Sequence, residues 1–254
     1  MKLSAVIITH NESLNIERCL AGLTWADEVI LVDSHSSDDT LKIASRFPNV
    51  KTFERDWQGF GAQRNFAISK ASGDWLLVVD ADEEVVPVLR DEIIAAVASP
   101  AYNAYRIPRR MYFCGHLLRF GGTFPDYQLR LFKKGAASYD NSPLHEKLIT
   151  TGKIGKLATP LNHYSYRDIT EYFERFNRYS TLDAQRRFER GEHFSIFRLP
   201  LVPINIFWRL IVRGGILDGY HGIVWGVFCA WYDFVKFAKV KELQQQVKVK
   251  TKVK

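Results

Sequence analysis

Trp75 and the apolar run Leu76-Leu77-Val78-Val79 lead directly into Asp80-Ala81-Asp82. An unbroken apolar run of this length reads as a strand buried on both faces, as in a parallel sheet. In open α/β sheets ligands sit at the carboxyl ends of the strands, where Asp80 and Asp82 fall. Two neighbouring carboxylates repel each other unless a cation lies beside them. Their spacing suits one Mg²⁺ or Mn²⁺ carrying a diphosphate, with the protein giving one or two oxygens. A solvated strand end has the same pattern, so the rest of the chain must decide between the two.

The flanking sequence alternates in the same way. Leu3–Ile8 reads as a strand ending in Thr9-His10-Asn11-Glu12, with Asn11 or Ser13 capping a helix to about Ala21. Glu28–Val32 is a second strand ending in Asp33, and Asp38 caps a helix through Arg46. Val50–Phe53 is a third strand, and Gly59 to Ala71 a helix carrying Arg64 and Asn65. This succession predicts βαβ units and a parallel sheet. Neither a Gly-x-Gly-x-x-Gly turn nor a Walker lysine follows the first strand.

After Pro87–Ala98, a helix with proline in its first turn, the pattern changes. Ala104–Tyr112, Leu117–Phe120, Gln128–Lys133, His145–Thr150 and Ile154–Leu157 read as strands. A helix is expected from Asp168 to about Arg190, with Tyr172, Phe176, Tyr179 and Leu182 on one face.

Charge separates the last quarter from the rest. The chain has 254 residues, 35 Lys/Arg and 28 Asp/Glu. From Ser195 onward there are ten basic and three acidic residues, so the first 194 balance at 25 against 25. Phe194–Val212 and Ile216–Lys241 are apolar and aromatic, separated by Gly214-Gly215. Neither offers the ~20 uninterrupted apolar residues that span a bilayer. Apolar, aromatic helices with basic flanks suit an in-plane membrane helix better than a span, with a pair of core or dimer helices as the alternative. Val247–Lys254 alternates like an edge strand or forms a basic tail. The basic residues are interleaved with apolar runs and no RNA- or DNA-binding motif is present, so no nucleic-acid partner is expected. Cys19, Cys114 and Cys229 form no disulfide or metal pattern, which points to a reducing compartment. No signal peptide is expected at the N-terminus.

Several motifs occur in a fixed order: Val6-Ile7-Ile8-Thr9-His10-Asn11-Glu12, Val29 to Ser34 with Ser37-Asp38-Asp39-Thr40, Gly61-Ala62-Gln63-Arg64-Asn65, Gly73-Asp74 and Asp80-Ala81-Asp82. Together they resemble the family 2 glycosyltransferases of the GT-A fold. Phe124 to Phe132, Leu144-His145-Glu146 and Asp218-Gly219-Tyr220-His221-Gly222 resemble a narrower branch, the bacterial lipopolysaccharide core β-1,4-glucosyltransferases. The resemblance implies an α/β GT-A fold with a mainly parallel central sheet and an amphipathic helical C-terminal extension. Residues 1–192 would form the transferase domain, with a nucleotide-binding half (1–98) and an acceptor half (99–192). Residues 193–254 would be the membrane-associating segment and tail.

The resemblance also implies roles. Thr9, Asn11 and Glu12 would line the nucleotide, and Asp33 would accept from the uracil imide. Arg64 would reach the ribose or diphosphate, unless it is a surface helix arginine. Asp80 would lean to the ribose and Asp82 would hold the metal. His163 would be a third metal ligand or a structural histidine, and Arg130 a diphosphate clamp. Inversion needs a base on the acceptor hydroxyl: Glu146, with Asp126 as the other candidate and His145 beside it. The expected activity is metal-dependent transfer of glucose from UDP-glucose to an inner-core heptose of lipid A–core. It would take place at the anionic cytoplasmic face of the inner membrane, on a peripheral protein. A polyprenyl-phosphate or capsule acceptor, or a non-catalytic nucleotide-sugar-binding scaffold, are the competing readings.

Overall fold

The apolar runs of the first eighty residues become four neighbouring strands. β1 (Leu3–Thr9), β2 (Glu28–Asp33), β3 (Val50–Glu54) and β4 (Trp75–Val78) lie parallel in the order β3-β2-β1-β4. The connections carry helices α1 (Ile16–Ala21), α2 (Thr40–Ala44) and α3 (Phe60–Lys70). Strand alternation sends side chains to two faces. Ala5, Ile7, Leu31 and Leu77 join one apolar cluster, and Val6, Ile30, Val32, Leu76 and Val78 the other. Every residue of β4 is buried, which is why its sequence is a continuous apolar run.

A computed structural model describes residues 1–140, 148–195 and 200–252. The chain divides into two compact units, Met1–Arg110 with Pro125–Tyr164, and Met111–Phe124 with Ser165–Lys254. In the first, β5 (Glu83–Glu84) and α4 (Pro87–Ala98) follow β4. The later strands are β6 (Ala104–Phe113), β7 (His116–Leu118), β8 (Asp126–Lys133), β9 (Ala137–Tyr139), β10 (Leu148–Thr150), β11 (Ile154–Lys156) and β12 (Leu161–Tyr166). The sheet continues past β4 as β8-β6-β12-β5. β8 runs antiparallel to both β4 and β6, and β12 antiparallel to β5, so the sheet is mixed.

Two helix starts differ from expectation. α1 begins at Ile16 with Asn15 at its cap position and no side-chain cap bond. Asn11 is unavailable because it sits in the left-handed region (φ 55°) and its side-chain carbonyl accepts from the Ser37 amide at 2.8 Å. α2 is shorter than expected, although Asp38 does accept from the Thr40 amide at 3.0 Å.

The second unit is built on α5 (Ile169–Glu189), α6 (Leu201–Phe207) and α7 (Gly219–Lys252). Asp168 caps α5 by accepting from the Glu171 amide at 2.8 Å. Its buried line is Tyr172, Phe176, Ser180 and Ala184. Tyr179 is only half-buried and Leu182 is exposed. Phe113, Leu118, Tyr172 and Phe176 form the unit's core with Trp225, Phe228 and Tyr232 of α7. The Tyr172 and Phe228 rings stack at 4.5 Å. The described part of the basic C-terminal stretch is helical and not a strand, since α7 runs to Lys252. The good helix formers from Lys241 to Gln246 propagate the turn. Among the described residues, no helix is long and apolar enough to cross a membrane.

Candidate active site

The order β3-β2-β1-β4 puts a topological switch point between β1 and β4. Crevices open outside the carboxyl ends of strands at such points. Thr9 and Asp33 are register partners at those ends. Thr9 Oγ1 is buried and has no hydrogen-bond partner among the described residues, and the same holds for Gln63 Oε1 and Arg130 Nε. Buried polar groups of this kind ask for a partner that the described residues do not supply.

The loops after β1 and β2 are joined by short polar contacts. The Asn11 amide donates to Ser36 Oγ at 2.8 Å, and the Glu12 amide to Thr40 Oγ1 at 2.8 Å. The Ser13 amide donates to Asp38 at 3.0 Å. Burial raises the Asp38 carboxyl, but hydrogen bonds from Thr40 and Ser13 outweigh it and bring its pKa to about 2. Asp33 is fully buried, and its carboxylate accepts from the Ser36 amide and hydroxyl at 2.7 and 2.5 Å. It therefore shapes the loop in which Asn11 is also anchored.

Beyond β4 the charges form a line in which signs alternate. Arg64 Nη2 donates to Asp80 at 2.7 Å. Arg130 Nη2 donates to Asp80 at 2.5 Å and to Glu83 at 2.7 Å. Arg109 reaches Glu83 at 3.4 Å and grips Asp126 through Nε and Nη2 at 3.0 and 2.7 Å. Gln128 Nε2 donates to the other Asp126 oxygen at 2.6 Å. Burial pushes the Asp80 carboxyl up, yet the Arg130 and Arg64 guanidinium groups outweigh it and hold Asp80 well below the usual carboxylate range. For Glu83 burial prevails: its pKa is raised although Arg130 opposes, and the Asp80 charge adds to the rise.

The two carboxylates of Asp80-Ala81-Asp82 thus have different surroundings. Asp80 lies between two arginines. Asp82 faces His163, with Nε2 to Oδ2 at 3.4 Å and both side chains mostly buried. The antiparallel pair β5–β12 creates this contact, because His163 is the register partner of Glu83 and the Tyr164 amide donates to the Asp82 carbonyl at 2.9 Å. Among the described residues no group of three or more His, Cys, Asp or Glu side chains is placed to hold a metal. Asp82 and His163 are a carboxylate–imidazole pair. That donor set fits Mg²⁺ or Mn²⁺ when phosphate oxygens and water complete the shell.

Sequence reading thus named six residues that the structure joins in two groups: Arg64, Asp80, Arg130 and Asp126 in the charge line, and Asp82 with His163. Glu146 and His145 lie outside the described residues. Glu83 and Arg109 were missed. Glu83 carried a signal, since it extends an acidic run directly after Asp82. Arg109 did not stand out within Arg109-Arg110 of a strand. Asn65 turns out to be a tie between α3 and β9, exchanging hydrogen bonds of 2.9 Å with the Tyr139 backbone in both directions.

The sequence model of the family described as "Glycosyl transferase family 2" matches residues 4–145. The lipopolysaccharide core biosynthesis glycosyltransferase LpsC of Rhizobium meliloti (strain 1021) is 30% identical over 250 residues, 94% of this chain and 92% of that protein. The uncharacterized glycosyltransferase RT0209 of Rickettsia typhi is 33% identical over 256 residues, 95% of this chain and 87% of that one. Among solved structures, S. aureus TarS 1–349 in complex with UDP-GlcNAc has a TM-score of 0.52 at 16% identity, covering 97% of this chain and 92% of that chain.

Proposed function

The chain belongs to glycosyl transferase family 2, and from that premise we propose that it transfers glucose from UDP-glucose to an inner-core heptose of lipopolysaccharide, with inversion. It is a glycosyltransferase with a GT-A-like α/β fold. The acceptor class rests on one observation: a relative named for lipopolysaccharide core biosynthesis aligns with 94% of the chain.

Thr9, Asn11, Glu12 and Asp33 line the nucleoside, in loops that their own hydrogen bonds pre-form. Asp33 has lone pairs beyond the two that Ser36 uses, and a carboxylate accepts from the uracil imide. Arg64 and Arg130 flank the diphosphate, and Asp80 fixes their planes. Asp82 and His163 hold a divalent cation, Mg²⁺ or Mn²⁺. When bound, such a cation neutralises the charge that develops on the UDP leaving group. Glu146 takes the proton from the acceptor hydroxyl. Asp126, oriented by Arg109 and Gln128, holds the acceptor. The C-terminal quarter places the protein on the cytoplasmic face of an anionic inner membrane.

The test is UDP release by the purified full-length chain with a panel of UDP-sugars, with Mn²⁺, Mg²⁺ or EDTA. UDP-glucose should be the preferred donor, turnover should need the cation, and Asp82→Ala should abolish it. Full turnover in EDTA, or preference for another donor, would overturn the metal or the glucose assignment respectively. UDP binding without turnover of any donor would favour a non-catalytic scaffold.

A further inference from the structure

The helix α6 and the π-helical turn Trp208–Val212 that follows it are apolar on nearly every side, yet none of their residues is buried. Leu201, Ile204, Phe207, Trp208, Ile211 and Val212 are each between 50% and 59% exposed. The half-buried side carries Asn205 and Arg209 among Val202, Ile206 and Leu210. Asn205 Nδ2 donates to Asp233 at 2.9 Å and its Oδ1 accepts from Arg209 Nε at 3.1 Å. Arg209 also reaches the Gly121 carbonyl at 3.4 Å. A helix on a water-facing surface turns its apolar stripe inward. This one exposes an apolar stripe as well, and the apolar surface continues across the next turn through Leu217 and Tyr220, 68% and 65% exposed. Contiguous exposed apolar area of this kind marks an interaction face.

The charges around that face name its partner. Asp218 is the sole acidic residue from Pro200 to Trp231. It is buried, and its carboxylate accepts from the Arg119 and Phe120 amides at 3.0 and 2.9 Å. Arg213 is exposed, with its guanidinium over the Trp208 ring at 6.0 Å. Arg213 is therefore the exposed charge of residues 201–220, and the half-exposed Asp233, on the side of Asn205, is paired with Lys236 at 2.6 Å. The mount is rigid as well. A Cβ on Gly222 would lie 2.0 Å from the Gly215 carbonyl, so α7 and the Gly215–Asp218 turn touch backbone to backbone.

We propose that the outward face of residues 201–220 lies in the headgroup–acyl boundary of an anionic bilayer, with Trp208 and Tyr220 at the interface and Arg213 among the headgroups. This sharpens the membrane association proposed above. It assigns binding to apolar insertion by α6 and the turns after it, not to the lysine-rich end of α7.

The experiment is flotation of the full-length chain with phosphatidylglycerol/phosphatidylethanolamine vesicles and with phosphatidylcholine vesicles. It compares wild type, Ile204→Glu/Ile211→Glu, and a tail variant with Lys248, Lys250, Lys252 and Lys254 changed to Gln. Wild type should float with the anionic vesicles and keep most of its partition at about 1 M salt, where charge attraction is screened within ~3 Å. The double variant should lose at least about tenfold in partition, because each isoleucine buried in lipid contributes strongly. It should keep its thermal midpoint and its acceptor-free UDP-glucose hydrolysis, and the tail variant should float like wild type. Equal flotation of the double variant, or binding lost with salt and with the tail lysines, would overturn the proposal. So would a dimer by light scattering that does not float and that the double variant dissociates, since the face would then meet a second copy. Flotation needs no turnover, so failure of the acceptor assignment would leave this result unchanged.

Discussion

Arg109 holds Asp126 with two nitrogens, at 3.0 and 2.7 Å, and touches Glu83 with a third at 3.4 Å. Both nitrogens converge on Oδ2 while Gln128 donates to Oδ1, so the guanidinium edge and the amide together fix the direction of the carboxylate. If Asp126 holds the acceptor, Arg109 is a positioning residue for it. Arg109→Lys keeps the charge and loses the guanidinium edge. Acceptor-dependent kcat/KM should fall by ~10- to 100-fold, the range expected for a small misplacement of a reacting partner. Acceptor-free UDP-sugar hydrolysis should change by less than about twofold. Equal losses in both assays would mean that Arg109 supports the whole site and not Asp126 in particular.

Asp82 and His163 should separate from Asp80 in a metal titration. His163→Ala should raise the half-saturating Mn²⁺ concentration for UDP binding at least about tenfold, read by calorimetry. Asp82→Asn should lower kcat by ~100-fold or more, the usual loss for one group that stabilises developing charge. Unchanged Mn²⁺ dependence in His163→Ala would leave the histidine a structural role.

Arg130 is buried between Asp80 and Glu83. Arg130→Met should destabilise the fold by ~3–5 kcal/mol, because it leaves Asp80 with Arg64 alone and the buried Glu83 with only the 3.4 Å contact to Arg109. Adding Glu83→Gln should restore part of that loss, since the carboxyl left with the weaker partner is then replaced by a neutral amide. Urea denaturation of the single and double variants measures both steps, and the absence of any recovery would contradict the pairing.

Acid should weaken the fold through Glu28. Its carboxylate is almost fully buried and accepts from Ser4 Oγ, the Ser72 amide and hydroxyl, and Lys51 at 2.6–2.7 Å. Burial raises its pKa, but Lys51, Ser4 and Ser72 outweigh it, so the folded value lies far below the ordinary glutamate value of 4.5. The stabilisation is complete above that ordinary value and is lost as pH falls toward the folded one. Glu28→Gln should cost ~1.5–3 kcal/mol at neutral pH and flatten the decline in stability below about pH 4.5. An acid slope equal to that of wild type would rule Glu28 out as the source.

The parallel half of the fold was legible because β1, β2 and β4 are buried on both faces, and such strands appear as unbroken apolar runs. The position of Asp80 and Asp82 followed from the same rule. Their different partners did not, because Arg130 reaches Asp80 from β8 and Arg64 reaches it from α3, contacts that no local pattern marks. His163 could be named but not paired, since its approach to Asp82 depends on the two-residue strand β5. Tyr179 and Leu182 looked as eligible for the core as Tyr172, and only the packing against α7 selects among them.

The transfer reaction itself is tested most directly by incubating the purified chain with UDP-glucose, Mn²⁺ and deep-rough lipopolysaccharide ending in inner-core heptose, then weighing the product by mass spectrometry. A gain of one hexose on the lipid A–core, absent with Asp82→Ala and with acceptor lacking heptose, is the predicted result. UDP released at the same rate with and without that acceptor, with no change in its mass, would contradict the core-heptose assignment.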